Sequence, residues 1–425
     1  MKKTIFALAA LALVFVSCNK DGGDDKVKPL DATLTFAQES VELVYGEPTV
    51  IAGTIQTSAT VSQAVLTGVK GQDEASYVAV GEAQTVDVSG LELAAEFFAD
   101  SKEMTAVEVK LVAGKQEKIF YLPATVSGEA KGTVWMNDAV TFAAAPMVPT
   151  HENDPDNYPV EKTGAGSDVK SFFSMRGVEV NGKVEHVLSL TEAREVMGSK
   201  VSMAWVNVLQ NTSNKVFIGG QRGLAFVRCN SLSAGTVGRQ CDLYEVDGKK
   251  IDVTNNTDNA FGLSAIRGSW SGERYDEAEY KFVDKLFLDI KNAETNLEKI
   301  KAFWQLSQIQ KVLDNATIGV EDNPTNLSNK NMYRRYVEAG ETSKKEAITE
   351  EFRAGDYLII RTNAGTTDAP EYLYGIIQIL QLPDDSGMFT LESTQVPGKM
   401  CLDKEAVLGL FNAPAYFAIK TQCDL

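Results

Sequence analysis

The sequence predicts a mainly β protein, with a β-sandwich in its first third and a larger α+β domain beyond it. Three observations point there. From Ala32 to Val126, short β-rich runs recur about every 8–12 residues, each closed by a turn signal. After about Ser127 the texture changes to strands mixed with helical runs, which open on capping-box patterns. Hydrophobic residues make up 44% of the chain and charged residues 23%, a globular balance that allows sizeable cores. At roughly 100–200 residues per domain, 425 residues suggest two domains or three.

In the first domain the expected strands are Thr33–Phe36, Val41–Tyr45, Thr49–Gln56, Ala64–Val69, Tyr77–Val80, Thr85–Val88, Thr105–Val112 and Lys118–Thr125. Gly46-Glu47-Pro48, Gly71, Gly81, Gly90 and Gly114 punctuate them. Leu91–Ala99, rich in Leu, Ala and Glu, reads as a short helix. This spacing suggests a sandwich of immunoglobulin-like build over residues 32–127, although no cysteine pair or Trp marks a true immunoglobulin domain. Ser127–Gly132 reads as a linker.

The distal α+β domain spans residues 132–425. Residues 146–167 read as a long polar loop. Ser189-Leu190-Thr191-Glu192 is a capping box, predicting a short helix to about Met197, and Lys200–Leu209 then returns to strand. Ala278, Phe282, Leu286 and Ile290 recur every four residues, one stripe on a helix. Thr295-Asn296-Leu297-Glu298 opens a second helix with Leu297, Ile300, Trp304 and Val312 on its apolar face; Ser343-Lys344-Lys345-Glu346 opens a third. The chain closes on strands at Tyr357–Arg361, Tyr374–Leu380, Met388–Leu391 and Ala415–Lys420, the first two resembling a hairpin.

Met1–Ser17 reads as a leader. Lys2 and Lys3 precede an apolar run, Thr4–Val16, that is too short to span a bilayer comfortably. It stops at Cys18, and no later run of eighteen apolar residues follows. Net charge is −17, and −19 once Lys2 and Lys3 leave with the leader. Such a surface repels phosphate backbones and anionic lipid, so nucleic acid is excluded as a partner and attachment needs something other than charge.

Phe15-Val16-Ser17-Cys18 resembles a bacterial lipobox, with Phe15 where Leu is usual. The resemblance implies cleavage before Cys18 and its acylation; at about 0.8 kcal/mol per buried CH2, two or three chains hold a protein firmly. Asn19-Lys20-Asp21-Gly22-Gly23-Asp24-Asp25 resembles the acidic export signal of surface lipoproteins of Bacteroidetes. The expected organisation is a leader at 1–17, a lipidated tether at 18–31, the sandwich and the distal domain, on the outer membrane facing outward.

The remaining cysteines are Cys229, Cys241, Cys401 and Cys423. Three pairings are possible in an oxidising compartment, and the local pairs Cys229–Cys241 and Cys401–Cys423 are favoured. No CxxC, GxSxG, HExxH, P-loop or GxGxxG occurs. Of the two histidines, His151 lies in the polar loop and His186 in a strand-like run, where a satisfied structural residue is expected rather than a base. Residues 151–157 hold several oxygen ligands without EF-hand spacing, so no metal site is assigned. Asp276, Glu277 and Glu279 fit the first turn of a helix, where acids offset the dipole.

Trp270, flanked by Gly268, Ser269, Ser271 and Gly272, with nearby Tyr275, is the best ligand-stacking candidate; Trp205 and Trp304 are expected in the core. No catalytic residue and no cofactor is assigned. The leading expectation is a non-catalytic surface module that binds a glycan or a host or matrix protein through its distal domain. The alternatives are a carbohydrate-active hydrolase using two carboxylates and a structural component of a surface assembly.

Overall fold

A computed structural model gives the architecture. It describes residues 28–88, 90–144, 147–149, 165–166, 168–196, 201–207, 209–212, 215–218, 224–228, 241–243, 245–246, 249–250, 262–266, 277–315, 354–366, 368–369, 371–383 and 412–424. Among the described residues the protein is mainly β, with 53% strand against 15% helix. It divides into two compact units. One runs to Gly132 and also takes in Ala293–Trp304; the other holds Thr133–Asn292 and everything from Gln305 onward.

The N-terminal unit contains β1 (Lys28–Pro29), β2 (Ala32–Phe36), β3 (Val41–Val44), β4 (Pro48–Thr57), β5 (Gln63–Lys70), β6 (Val78–Ala79), β7 (Gln84–Asp87), β8 (Glu92–Phe98), β9 (Ala106–Ala113) and β10 (Gln116–Ser127). One sheet runs β1-β10-β9-β5-β6, with β7 also on β5 and β3 parallel to β10; the other is β2-β4-β8. Their inner faces share one core: Leu34, Ile51, Ile55 and Phe97 from the smaller sheet, and Leu66, Val107, Val109, Leu111 and Leu122 from the larger. Along β2, β3 and most of β8, alternate residues turn outward, the period of two that a half-buried sheet requires. The β9–β10 hairpin closes over Gly114, whose φ of 60° is the left-handed conformation glycine adopts most readily.

One expectation is corrected here. Leu91–Ala99 is not a helix; most of it is β8, antiparallel to β4. Leu93, Ala95 and Phe97 point into the core while Glu92 is exposed. Pairing and alternate burial override the helix preference of Leu, Ala and Glu.

The start of a later helix completes this unit. Helix α3 (Asn296–Asn315) begins on the predicted capping box: the Glu298 carboxylate accepts from Glu294 N and Thr295 N at 2.8 and 3.0 Å, and Thr295 Oγ1 accepts from Glu298 N at 3.3 Å. Lys301 Nζ bonds Glu82 and Asp100 at 2.6 and 2.7 Å. The Trp304 ring lies 5.3 Å from that of buried Phe98, and its indole N–H donates to Glu96 at 3.3 Å. Trp304 is therefore half-buried with a polar contact, while Ile300 is buried as expected and Leu297 is half-buried. Ala302, Phe303 and Leu306 are buried as well, so the apolar surface of α3 is broader than the single stripe read from the sequence.

The second unit contains β11 (Val134–Phe142), β12 (Met147–Pro149), β13 (Lys170–Val180), β14 (Lys183–Ser189), α1 (Leu190–Glu195) and β15 (Met203–Asn207). The short strands β16 (Leu209–Thr212), β17 (Lys215–Ile218), β18 (Leu224–Arg228), β19 (Cys241–Leu243), β20 (Glu245–Val246) and β21 (Lys249–Lys250) follow. Then come β22 (Gly262–Ile266), α2 (Glu277–Asn292), β23 (Tyr357–Asn363), β24 (Tyr372–Gln381) and β25 (Ala415–Gln422). The capping box at Ser189 forms: Ser189 Oγ accepts from Glu192 N at 3.1 Å, and the Glu192 carboxylate accepts from Ser189 N at 2.7 Å.

The principal sheet is β11-β25-β24-β23-β22, and a second runs β14-β13-β15-β18. In β25 successive residues serve two layers. Phe417 meets Trp205 and Phe142 edge-on at 5.6 and 5.7 Å, whereas Lys420 lies over the Phe287 ring of α2 at 4.5 Å. Helix α2 buries Val283, Leu286, Phe287 and Ile290. Gly375 on β24 leaves room for its neighbours: a Cβ there would sit 2.8 Å from the Ile360 side chain and 2.9 Å from Thr421 Oγ1. The Ser343 box and the Met388–Leu391 strand fall outside the described residues.

Candidate functional site

The second unit brings together the one described histidine and a cysteine distant in sequence. His186 stands on β14 and Cys423 just past the end of β25. Their Nε2 and Sγ atoms are 3.8 Å apart. Trp135 of β11 stacks on the imidazole at 4.5 Å and 18°, and Phe173 of β13 lies 6.5 Å away. The hairpin β13–β14, β11 and the end of β25 thus bring aromatic rings around an imidazole and a thiol.

Backbone geometry holds both groups. Gly177, at φ 77°, lets β13 bend in its irregular register with β14. A Cβ at this position would fall 2.6 Å from Val184 and 3.0 Å from His186 Nε2. Cys423 N donates to Thr133 O at 2.9 Å, and the Thr133 hydroxyl donates to Asp424 at 2.8 Å. These bonds tie the C-terminal end of the chain to the entry of β11.

The electrostatics decide what the pair can do. His186 Nδ1 is 2.9 Å from the carbonyl of Ser174, a contact that only an Nδ1–H tautomer makes favourably. The lone pair then resides on Nε2, facing the thiol. Burial lowers the pKa of His186 despite that carbonyl, so the ring stays neutral. Burial also pushes the Cys423 thiol up to about 11, with the Asp424 carboxylate adding to the effect. A cysteine nucleophile needs the opposite arrangement, a thiolate beside an imidazolium. With both groups neutral, the thiol faces two acceptors, His186 Nε2 and the Thr421 carbonyl, each at 3.8 Å.

A second polar group in this unit is a buried cation. Lys420 is 1% exposed and donates to Asp138 at 2.8 Å. Asp138 sits where the β11–β25 register shifts, and the Lys420 bond together with the charge of Lys291 lowers its pKa. Tyr357 donates to Asp284 at 2.5 Å and accepts from Gln378 at 3.0 Å; burial and Asp284 both raise its pKa. Among the described residues no group of three His, Cys, Asp or Glu is placed to hold a metal ion.

Of the residues singled out from sequence, Cys18, His151, Cys229, Trp270, Tyr275, Asp276 and Cys401 lie outside the described residues. Cys241 falls in β19, opposite Pro149. Cys423 carries a free thiol. Trp205 is buried at 1% exposure, the core position expected for it. No described helix is long and apolar enough to cross a membrane. The contact between His186 and Cys423 spans 237 positions and had no signal in the sequence. No protein-family model matches the chain, and no curated protein matches it either.

Proposed function

We propose that the protein is a lipid-anchored, surface-displayed binding module without catalytic activity of its own. The observation that carries this reading is the N-terminal sequence: a basic start, a short apolar run, Phe15-Val16-Ser17-Cys18 and an acidic, glycine-containing tether. Lipid on Cys18 supplies the attachment that a net charge of −17 cannot supply on an anionic bilayer. The two-sheet N-terminal unit fits the immunoglobulin-like spacer expected of such a protein. The ligand class that best fits an acidic, exported module is a glycan or a host or matrix protein.

The test is metabolic labelling with a palmitate analogue, followed by protease treatment of intact cells. Wild type should incorporate label and be shaved from the surface, while Cys18→Ala should do neither. Label-free wild type would overturn the anchor, and labelled but protease-resistant protein would overturn outward display.

A further inference from the structure

The outer face of the larger sheet in the N-terminal unit carries a pair of stacked tyrosines. The rings of Tyr77 and Tyr121 are 4.1 Å apart and inclined by 21°. Tyr121 lies on β10 with Ile119, 43% exposed, two residues before it on the same face. Val78, beside Tyr77, is 57% exposed. Glu108 of β9 is directly opposite Tyr121, and Thr67 of β5 is directly opposite Glu108.

The loop that presents Tyr77 is held in shape. Ser76 Oγ accepts from Gln72 N and Asp73 N at 2.9 and 3.2 Å, and Asp73 Oδ1 accepts from Ser76 N at 3.1 Å. Gly71 is bonded twice to Thr105 Oγ1, at 3.0 and 2.7 Å. The ring is therefore presented in a fixed position rather than ordered on contact, which lowers the entropy lost on binding. The Tyr121 hydroxyl hydrogen-bonds Glu108, and burial together with the charges of Glu108 and Glu74 raises its pKa. Neither forms an ion pair among the described residues, while Lys110 pairs with Glu117 and Lys70 with Glu103.

We infer that Tyr77, Tyr121 and Glu108 form a platform for a neutral pyranose sugar. The inference deepens the binding reading above and rests on it, but moves the contact from the distal domain to the sandwich. A parallel stack offers its outer face to a third flat object. It does not converge on a point, as the rings of a cage for an ammonium group do. The C–H face of a pyranose fits such a surface, and its hydroxyls find carboxylate acceptors alongside, because a carboxylate that takes one bond from Tyr121 keeps further lone pairs. Nucleobases arrive with phosphates, and uronic, sialic or sulfated sugars with their own charge; Glu74 and Glu108 repel both. A proline-rich or aromatic peptide can stack but brings few donors for these acids.

The soluble mature chain, residues 19–425, is applied to an array of neutral and anionic glycans. Beside it are a variant with both Tyr77→Ala and Tyr121→Ala, and the single variant Tyr121→Phe. Neutral glycans should be retained by the wild type, with about tenfold weaker binding in the double variant and near-full binding with Phe, which keeps the stacking surface. Saturation-transfer NMR of the wild type with neutral methyl hexosides needs no folded variant, and should transfer from aromatic protons to the sugar's ring C–H protons. Retention of anionic glycans alone, undiminished binding by a folded double variant, silence toward every glycan, or capture of a peptide in place of sugar would each overturn the platform. Lipid labelling and surface protease access are read separately, so these failures are distinguishable from failure of the anchored-display reading.

Discussion

The strands of the two units are buried in different ways. In the N-terminal unit, β2 and β8 alternate between buried and exposed residues, and the outer faces are open enough to carry Glu108, Lys110 and Ile119. In the second unit, Tyr357–Ile360, Leu373–Ile377 and Phe417–Gln422 are buried without a break. There the sheet is covered by α2 on one side, while on the other Phe417 meets Trp205 and Phe142. A strand with one wet face tolerates charge there. A strand with none must satisfy every polar side chain internally, which is why Lys420 has Asp138 and Tyr357 has Asp284.

The largest effect should come from emptying a doubly covered position. Phe417→Ala should destabilise the second unit by about 3–5 kcal/mol, seen as loss of amide-exchange protection in peptides from β24 and β25. Ile119→Ala, on an open face, should stay within about 0.5 kcal/mol. A comparable loss at both sites would break the contrast between the units.

Next in size, Asp138→Asn removes the carboxylate from a lysine that is 1% exposed. Removing one partner of a buried pair is strongly destabilising. Because Asp138 is itself 54% exposed, water offsets part of that loss, leaving on the order of 1–3 kcal/mol. Denaturant titration read by exchange in β11 and β25 measures it, and an unchanged midpoint would show that the lysine finds another partner.

The same pair sets a pH dependence. The pKa of Asp138 is lowered in the folded state, so its contribution is present above the unfolded carboxylate value of about 3.9 and is lost as pH falls through the folded value. The second unit should therefore lose protection below about pH 4 in wild type, and Asp138→Asn should flatten that part of the profile. A profile that keeps its shape in the variant would assign the acid sensitivity elsewhere.

The smallest effect should be Ser189→Ala. It removes the acceptor for Glu192 N, and about 1 kcal/mol is expected, confined to exchange in α1 and the end of β14.

Legibility in the sequence follows the same division. Alternation and glycine turns located the strands of the first unit to within a residue or two, because one wet face writes a period of two into the sequence. The boxes at Ser189 and Thr295 were readable because a cap is a local contract between residues three apart. Leu91–Ala99 was misread because its composition favours helix, while its pairing with β4 is a long-range fact. In the second unit continuous burial hides the period. Lys420 reads as surface, and nothing local connects His186 with Cys423 or Tyr77 with Tyr121. The lipidation signal and the Trp270 segment remain expectations from sequence, carried by residues outside the described structure.

The helix that covers Phe98 bears on the order in which the protein can be made. Phe98 is fully buried and contacts Trp304, about two hundred residues later in the chain. A polypeptide emerging N-terminus first will have synthesised all of β1 to β10 long before the residues that bind Glu82, Glu96 and Asp100 exist. Until then the first unit carries an uncovered aromatic, and Glu82 and Asp100 lack the lysine that pairs with them. Completion of the first unit therefore waits on synthesis of the start of α3.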